Sequence, residues 1–197
     1  MNTFDFPTIV LASASPRRHE LLQQLGVPHV VLAVDVDETP HPGESALQLV
    51  TRLALAKARE GARLDAASRP VLGSDTAVVV DAIVCGKPVD RADGLRMLAA
   101  LSGRTHQVMT AVALATGETV VQALSCTNVT MRDIAPAEAA AYWETGEPQG
   151  KAGGYAIQGR GALFIEHISG SYSGVMGLPL YETAQLLQTL HGSGDVR

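Results

Sequence analysis

Ile9-Val10-Leu11-Ala12-Ser13-Ala14-Ser15-Pro16-Arg17-Arg18 changes character within a few residues. Ile9 to Ala12 is an unbroken apolar run of the length of a short buried strand. Arg18 to Leu25 then reads as a helix, closed by Gly26. Between them Ser15 suits the helix N-cap, and Pro16 suits the first helical position, where its missing N–H is not needed. A strand passing through a short polar turn into a helix is the start of an α/β unit.

The same alternation continues along the chain. Ser45 to Glu60 is a second helix with a Ser start, and Val71-Leu72 runs into a Gly73-Ser74-Asp75-Thr76 turn. Ala77–Val80 and Ile83-Val84 are strands joined near Asp81-Ala82, and Asp90 caps a helix through Leu101 that stops at Ser102-Gly103. Gln107–Ala115 and Thr119–Met131 form a long hairpin about Thr116-Gly117. Pro136 opens a helix ending at Gly146, and the glycine-rich stretch Gly150–Gly161 precedes a strand at Ala162–Ile165. Pro179 begins a last helix through Leu190, and His191–Arg197 reads as a frayed tail. The fold class is α/β with a mixed sheet. With no linker and no internal repeat, residues 1–197 are expected to form a single domain.

Composition removes several function classes. Of 197 residues, 46% are hydrophobic, enough apolar surface to offset the entropy of ordering the chain. Net charge is −5, from 15 Lys plus Arg against 20 Asp plus Glu, which argues against a non-specific nucleic-acid binder resting on many phosphate contacts. No run approaches the roughly 18 apolar residues of a membrane span, and Met1–Pro7 lacks the features of a signal peptide, so the expected compartment is the cytoplasm. Cys85 and Cys126 stand far apart and in no CxxC pattern; two buried free thiols are expected. His19-Glu20 has no second histidine to complete HExxH, so a metal here would sit on carboxylates.

Three segments carry candidate chemistry. The Ser13–Arg18 turn offers a helix N-terminus with its unpaired N–H groups, and two arginines suited to phosphate oxygens; an ordinary capped helix with solvated arginines has the same pattern. Lys57 projects from the apolar stripe Ala46, Leu49, Val50, Leu53, where a lysine must snorkel, pair with an acid or point into a cleft. Asp75, placed at a strand end, could bind a metal, act as a base or simply form the turn. Asp35, Asp37 and Glu38 form a separate acidic cluster in a loop, and with Lys57, Lys87 and Arg17 such carboxylates suit Mg²⁺ plus a polyphosphate. Gly86-Lys87-Pro88 is not a Walker motif, and neither a dinucleotide fingerprint nor a nucleophile elbow is present. The glycines around Gln158 suit either a flexible loop or close approach of backbone to a ligand.

Together, Ser13–Arg18, Gly73–Thr76, Gly86–Pro88, Leu101-Ser102-Gly103 with His106, Lys151–Gly159 and Gly177–Thr183 make the chain resemble the Maf family of nucleoside triphosphate pyrophosphatases, in its dTTP/UTP branch. Ala14 and Ala156 stand where the family commonly has Gly, both small replacements. The resemblance implies an elongated mixed sheet with flanking helices and two lobes around a deep central cleft. It implies cleavage of dTTP and UTP between the α and β phosphates with Mg²⁺ or Mn²⁺, a homodimer, and a link to septum formation and division arrest. A non-catalytic regulator of division and a pyrophosphatase selecting a methylated purine nucleotide are the other roles it suggests. Carried over position by position, Asp75 is the proton acceptor and Arg17, Thr76 and Gln158 select the base. Ser13, Ser15, Arg17, Arg18, Lys57 and Lys87 hold the triphosphate, and Glu38 with Asp75 holds the metal.

Overall fold

The computed structural model describes residues 5–192, with side chains through Leu190. Met1–Phe4 and the tail beyond Gly192 lie outside the described residues. The order of elements is β1 (Ile9–Leu11), α1 (Pro16–Gln24), β2 (His29–Val31), α2 (Ala46–Leu64), β3 (Val71–Val80), β4 (Ile83–Cys85), α3 (Arg91–Leu101), β5 (Thr105–Thr116), β6 (Thr119–Met131), α4 (Pro136–Glu144), β7 (Ile165–Ser169), α5 (Tyr172–Met176) and α6 (Leu180–Gly192). Seven strands form one sheet in the order β2-β1-β3-β5-β6-β7, with β4 paired to β3. β1 runs parallel to β2 and β3, while β4 on β3 and β7 on β6 are antiparallel, so the sheet is mixed. Among the described residues no helix is long and apolar enough to cross a membrane.

The chain divides into two compact units. The first comprises residues 1–75, 110–125 and 177–197, and in it Val10, Ala12 and Val71 pack with Leu32, Val34 and Ala62. The second comprises residues 76–109 and 126–176, with a core that includes Val78, Leu98, Leu101, Met131, Tyr142, Tyr155 and Phe164.

Local rules account for most element ends. Ser45 caps α2 in a reciprocal box: its hydroxyl accepts from the Gln48 N–H, and the Gln48 carboxamide accepts from the Ser45 N–H. The Asp90 carboxylate accepts from the Asp93 N–H at 2.8 Å and starts α3. Asp81 and Ala82 take φ of 50° and 62°, the pair of positive values that turns β3 tightly into β4. Ser15 stands at the N-cap of α1 as expected, but its hydroxyl makes no capping bond; its N–H instead donates to Ser13 Oγ at 3.2 Å.

Three expectations are corrected. Gly73–Thr76 is not a turn, because β3 continues unbroken from Val71 to Val80. Gly73 serves close packing: a Cβ there would lie 2.3 Å from the Ala54 carbonyl oxygen and 2.6 Å from the Ala58 nitrogen, so its absence lets α2 lie directly on the strand. The strand expected at Ala162–Ile165 is a 3-10 turn over Arg160–Phe164, with β7 beginning only at Ile165. The Arg160 and Gly161 N–H groups are taken by the Glu147 carboxylate and do not join a ladder. Cys85 is buried as expected, but Cys126 is exposed on the outward side of β6. The short elements β2 and α5 had no separate sequence signal.

Candidate active site

The contact between α2 and β3 builds the centre of the site. Ala54 and Ala58 are fully buried and seat the helix against Gly73. Side chains of a strand alternate, so Asp75, two residues beyond Gly73, faces the same helix, while Ser74 and Thr76 face the other side. Lys57, between Ala54 and Ala58 in the buried stripe, meets Asp75 there. Its Nζ donates to Asp75 Oδ1 at 2.6 Å and lies 2.6 Å from Glu38 Oε1. The Lys57 and Asp75 side chains are only 10% and 13% exposed, whereas Glu38 is 49% exposed and reaches in from the loop before α2. Of the alternatives open to Lys57, the structure selects pairing with acids.

The β1–α1 turn supplies the cations. Arg18 donates from Nε to the Gly177 carbonyl at 2.8 Å and from Nη1 to Ser13 Oγ at 3.2 Å. The Gly177 carbonyl also accepts from the buried Ser74 hydroxyl at 3.0 Å, so one backbone oxygen orients both Arg18 and the neighbour of Asp75. Burial lowers the Arg18 pKa from its usual value; nearby Asp75 and Glu38 pull it up and Arg17 pushes it down, so these four charges sense one another. Arg17, on the first turn of α1, is also lowered by burial, opposed by Glu20. Ser13 is buried and Ser15 half-buried at this turn. The first unit therefore brings together Ser13, Arg18, Glu38, Lys57 and Asp75. Ser74 and Gly177 carry no signal of their own in the sequence beyond the motifs that contain them; their role is visible only once distant segments meet.

Two carboxylate oxygens converge on the single cationic point of Lys57, and hard oxygen donors of this kind suit Mg²⁺ or Mn²⁺ when phosphate oxygens complete the shell. Asp35 and Asp37 stay exposed, and the Asp37 carboxylate accepts from the Thr39 N–H at 2.9 Å. Among the described residues no group of three or more acidic, His or Cys side chains is placed to hold a metal alone. A shallow cavity of about 510 Å³ lined by His41, Leu47, Thr51 and Leu55 among others contains none of the expected site residues.

Thr76, Lys87 and Gln158 belong to the second unit. Lys87 is exposed after β4, and the Gly86 carbonyl beside it accepts from the Gly153 N–H at 3.0 Å. Gly153 has φ of 71°, and a Cβ there would lie 2.9 Å from Val78 Cγ1, so this position requires glycine on both counts. Gln158 is exposed, although Tyr155, Ala156 and Ile157 just before it are buried. Tyr155 OH lies 2.8 Å from His106 Nε2.

A Maf-like protein family model matches residues 8–190 of this chain. The chain is 55% identical over 181 residues to a protein of Pseudoalteromonas translucida named dTTP/UTP pyrophosphatase, covering 92% of this chain and 96% of that one. It is 57% identical over 182 residues to the protein of that name from Saccharophagus degradans, covering 91% and 87%. Among solved structures, the Staphylococcus aureus Ham1 protein matches 64% of this chain and 73% of its own at 16% identity and a TM-score of 0.44. With nearly the whole length matched and the motif residues of the first unit assembled around Lys57, the chain belongs to the Maf family.

Proposed function

We propose that this chain hydrolyses dTTP and UTP to the nucleoside monophosphate and pyrophosphate. The observation that carries this reading is the buried Lys57 ammonium between Glu38 and Asp75, beside Arg18, in a chain more than half identical to proteins named for that activity. A triphosphate brings about four negative charges, which must be neutralised before a nucleophile approaches.

Arg17, Arg18, Lys57 and Lys87, with the Ser13 and Ser15 hydroxyls, bind the triphosphate oxygens and stabilise pyrophosphate as it leaves. Glu38 and Asp75 would hold a divalent cation, Mg²⁺ or Mn²⁺, which would supply charge neutralisation at the phosphates. Asp75 accepts the proton of the water that adds across the α–β anhydride bond, and Lys57 orients that carboxylate. Gln158 reads the base: its carboxamide donates to a uracil carbonyl and accepts from N3–H, a pattern that cytosine inverts at its amino group. Thr76 limits the pocket, and the loss of paired hydrogen bonds rejects other bases. The chain works as a homodimer in the cytoplasm, with no nucleic-acid or membrane partner.

Pyrophosphate release from dTTP, UTP, CTP, ATP, GTP and a base-methylated purine nucleoside triphosphate, each with Mg²⁺ or Mn²⁺, tests the reading. Preference for dTTP and UTP is expected, with little discrimination between them, since one methyl is worth only about 1–3 kcal/mol. Equal turnover of GTP or CTP would defeat the assignment, preference for a methylated purine nucleotide would move it to another substrate, and no turnover at all would leave a regulatory role.

A further inference from the structure

Glu147 lies just past α4, where the sequence shows nothing beyond a helix end. In the structure its carboxylate is the centre of a closed set of bonds. Oε1 accepts from the Tyr142 hydroxyl at 2.6 Å and from the Gly161 N–H at 3.0 Å, and Oε2 accepts from the Arg160 N–H at 3.0 Å. The same Tyr142 oxygen accepts from the Ala156 N–H at 3.0 Å. Tyr142 itself is fixed, 4% exposed and edge-on to Phe164 with ring centroids 5.2 Å apart. The segment Ala156–Gly161 is thus gripped at both ends by two side chains that are bonded to each other, and Gln158 is the exposed residue between the grips.

The glycines of the segment are the counterpart of the grip. A Cβ at Gly159 would lie 2.3 Å from Glu147 Oε2, and one at Gly161 would lie 2.6 Å from the Ala156 carbonyl oxygen and 2.8 Å from Tyr142 Oη. Burial alone would raise the Glu147 pKa, but the Tyr142 hydroxyl, the two amides and Lys151 outweigh it and hold it below the usual value, so the clamp is an anion accepting three donors at neutral pH. Hydrogen bonds to a carboxylate are shorter and stronger than neutral ones and hold backbone to a narrow geometry.

We infer that Glu147, with Tyr142, is the positioning residue that holds the Ala156–Gly161 segment so that Gln158 presents its carboxamide in one orientation for base selection. The inference rests on the proposed role of Gln158. A base-reading amide must not turn its oxygen and nitrogen freely, because discrimination comes from buried groups left unpaired by the wrong base. The segment's own backbone bonds are short-range, the Gly159 N–H to the Ala156 carbonyl at 3.2 Å and the 3-10 turn that starts at Arg160, so the two side chains are what tie it to α4.

The test is kcat and KM for UTP and CTP in the wild type, Gln158→Glu, Glu147→Gln and the double variant, with folding of each checked by thermal melting. Glu147→Gln keeps the side-chain shape but replaces one acceptor oxygen with a donor. It is expected to lower the UTP-to-CTP ratio of kcat/KM by about tenfold, the worth of roughly one well-placed hydrogen bond. The loss is expected mainly in KM for UTP, and Gln158→Glu is expected to add little to it, because both act through one amide. Tyr142→Phe, which removes only the hydroxyl joining the two grips, is expected to shift the ratio the same way and serves if Glu147→Gln does not fold. A folded Glu147→Gln or Tyr142→Phe enzyme with the wild-type ratio, while Gln158→Glu lowers it, would overturn the clamp alone. An unaltered ratio in Gln158→Glu would overturn the reading of Gln158, and the clamp with it.

Discussion

Lys57 is buried on an otherwise apolar stripe, and burying an ammonium is tolerated only where acids meet it. Both acids it meets are those proposed to take part in the reaction, so its substitution is expected to act on activity before stability. Lys57→Ala should reduce kcat/KM for dTTP by on the order of 10²-fold or more, comparable to deleting one preorganised donor. The melting temperature should fall proportionately less: solvent screens the half-exposed Glu38, and Arg18 remains as a cation near the buried Asp75 carboxylate. Steady-state kinetics and a melt on the same preparation check both parts; unchanged kinetics would reduce Lys57 to a structural ion pair. Asp75→Asn preserves shape and removes the base and one charge, so turnover should be lost while nucleotide binding, followed by calorimetry, persists. Near-normal turnover would remove Asp75 from the proton-accepting role.

The site is only as well placed as α2 is on β3. The helix is started by the Ser45–Gln48 box and seated by Ala54 and Ala58 over Gly73. Gly73→Ala puts a methyl group into the helix backbone, where no flexible side chain can yield. It is expected to cost about 1–3 kcal/mol as overpacking and to separate Lys57 from Asp75, so activity should fall far more than the folded fraction. A shift of the urea midpoint together with loss of turnover would bear this out; full activity would mean that α2 can slide without disturbing the pair. Ser45→Ala, by contrast, removes a cap at the exposed end of the helix. About 1 kcal/mol of stability should be lost, read from the same urea curves, with kcat/KM little changed because the Lys57 end of α2 stays anchored.

Across the whole molecule, acid titration separates two sets of groups. His106 is 2% exposed in the second unit's core, its Nδ1 has no partner, and burial lowers its pKa to about 4. The unfolded chain binds that proton near pH 6.5, so the folded state loses stability as pH falls from 6.5 to 4, by about 3 kcal/mol over the window. Glu44, Asp65 and Glu138, each held near 2 by hydrogen bonds from an arginine and a backbone N–H, act lower, between their unfolded values near 4 and pH 2. Urea stability measured from pH 7 to pH 4 should therefore decline in the wild type and flatten in His106→Asn. Equal slopes would place the buried imidazole's contribution elsewhere.

Ser45, Asp90, Pro136 and the Thr116-Gly117 turn announce their elements through nearest neighbours, because caps and tight turns depend on a few adjacent residues. Alternation of those elements already implies an α/β class. The residue types of the site were legible too, since a lysine in an apolar stripe and an acid after a buried run are local anomalies. Which acids the lysine meets was not legible, nor was the continuity of β3, the turn at Arg160–Phe164 or the exposure of Cys126. Each depends on contacts between segments distant in the chain: Lys57 with Asp75 18 residues away, Arg18 with Gly177 159 residues away. Gly73 reads as a turn former by local chemistry and becomes a packing surface only when α2 arrives. The sequence by itself determined the elements and the kinds of group available for chemistry. The tertiary structure decided their partners, because pairing depends on which distant backbone a missing Cβ lets approach and which buried charge has nowhere else to go.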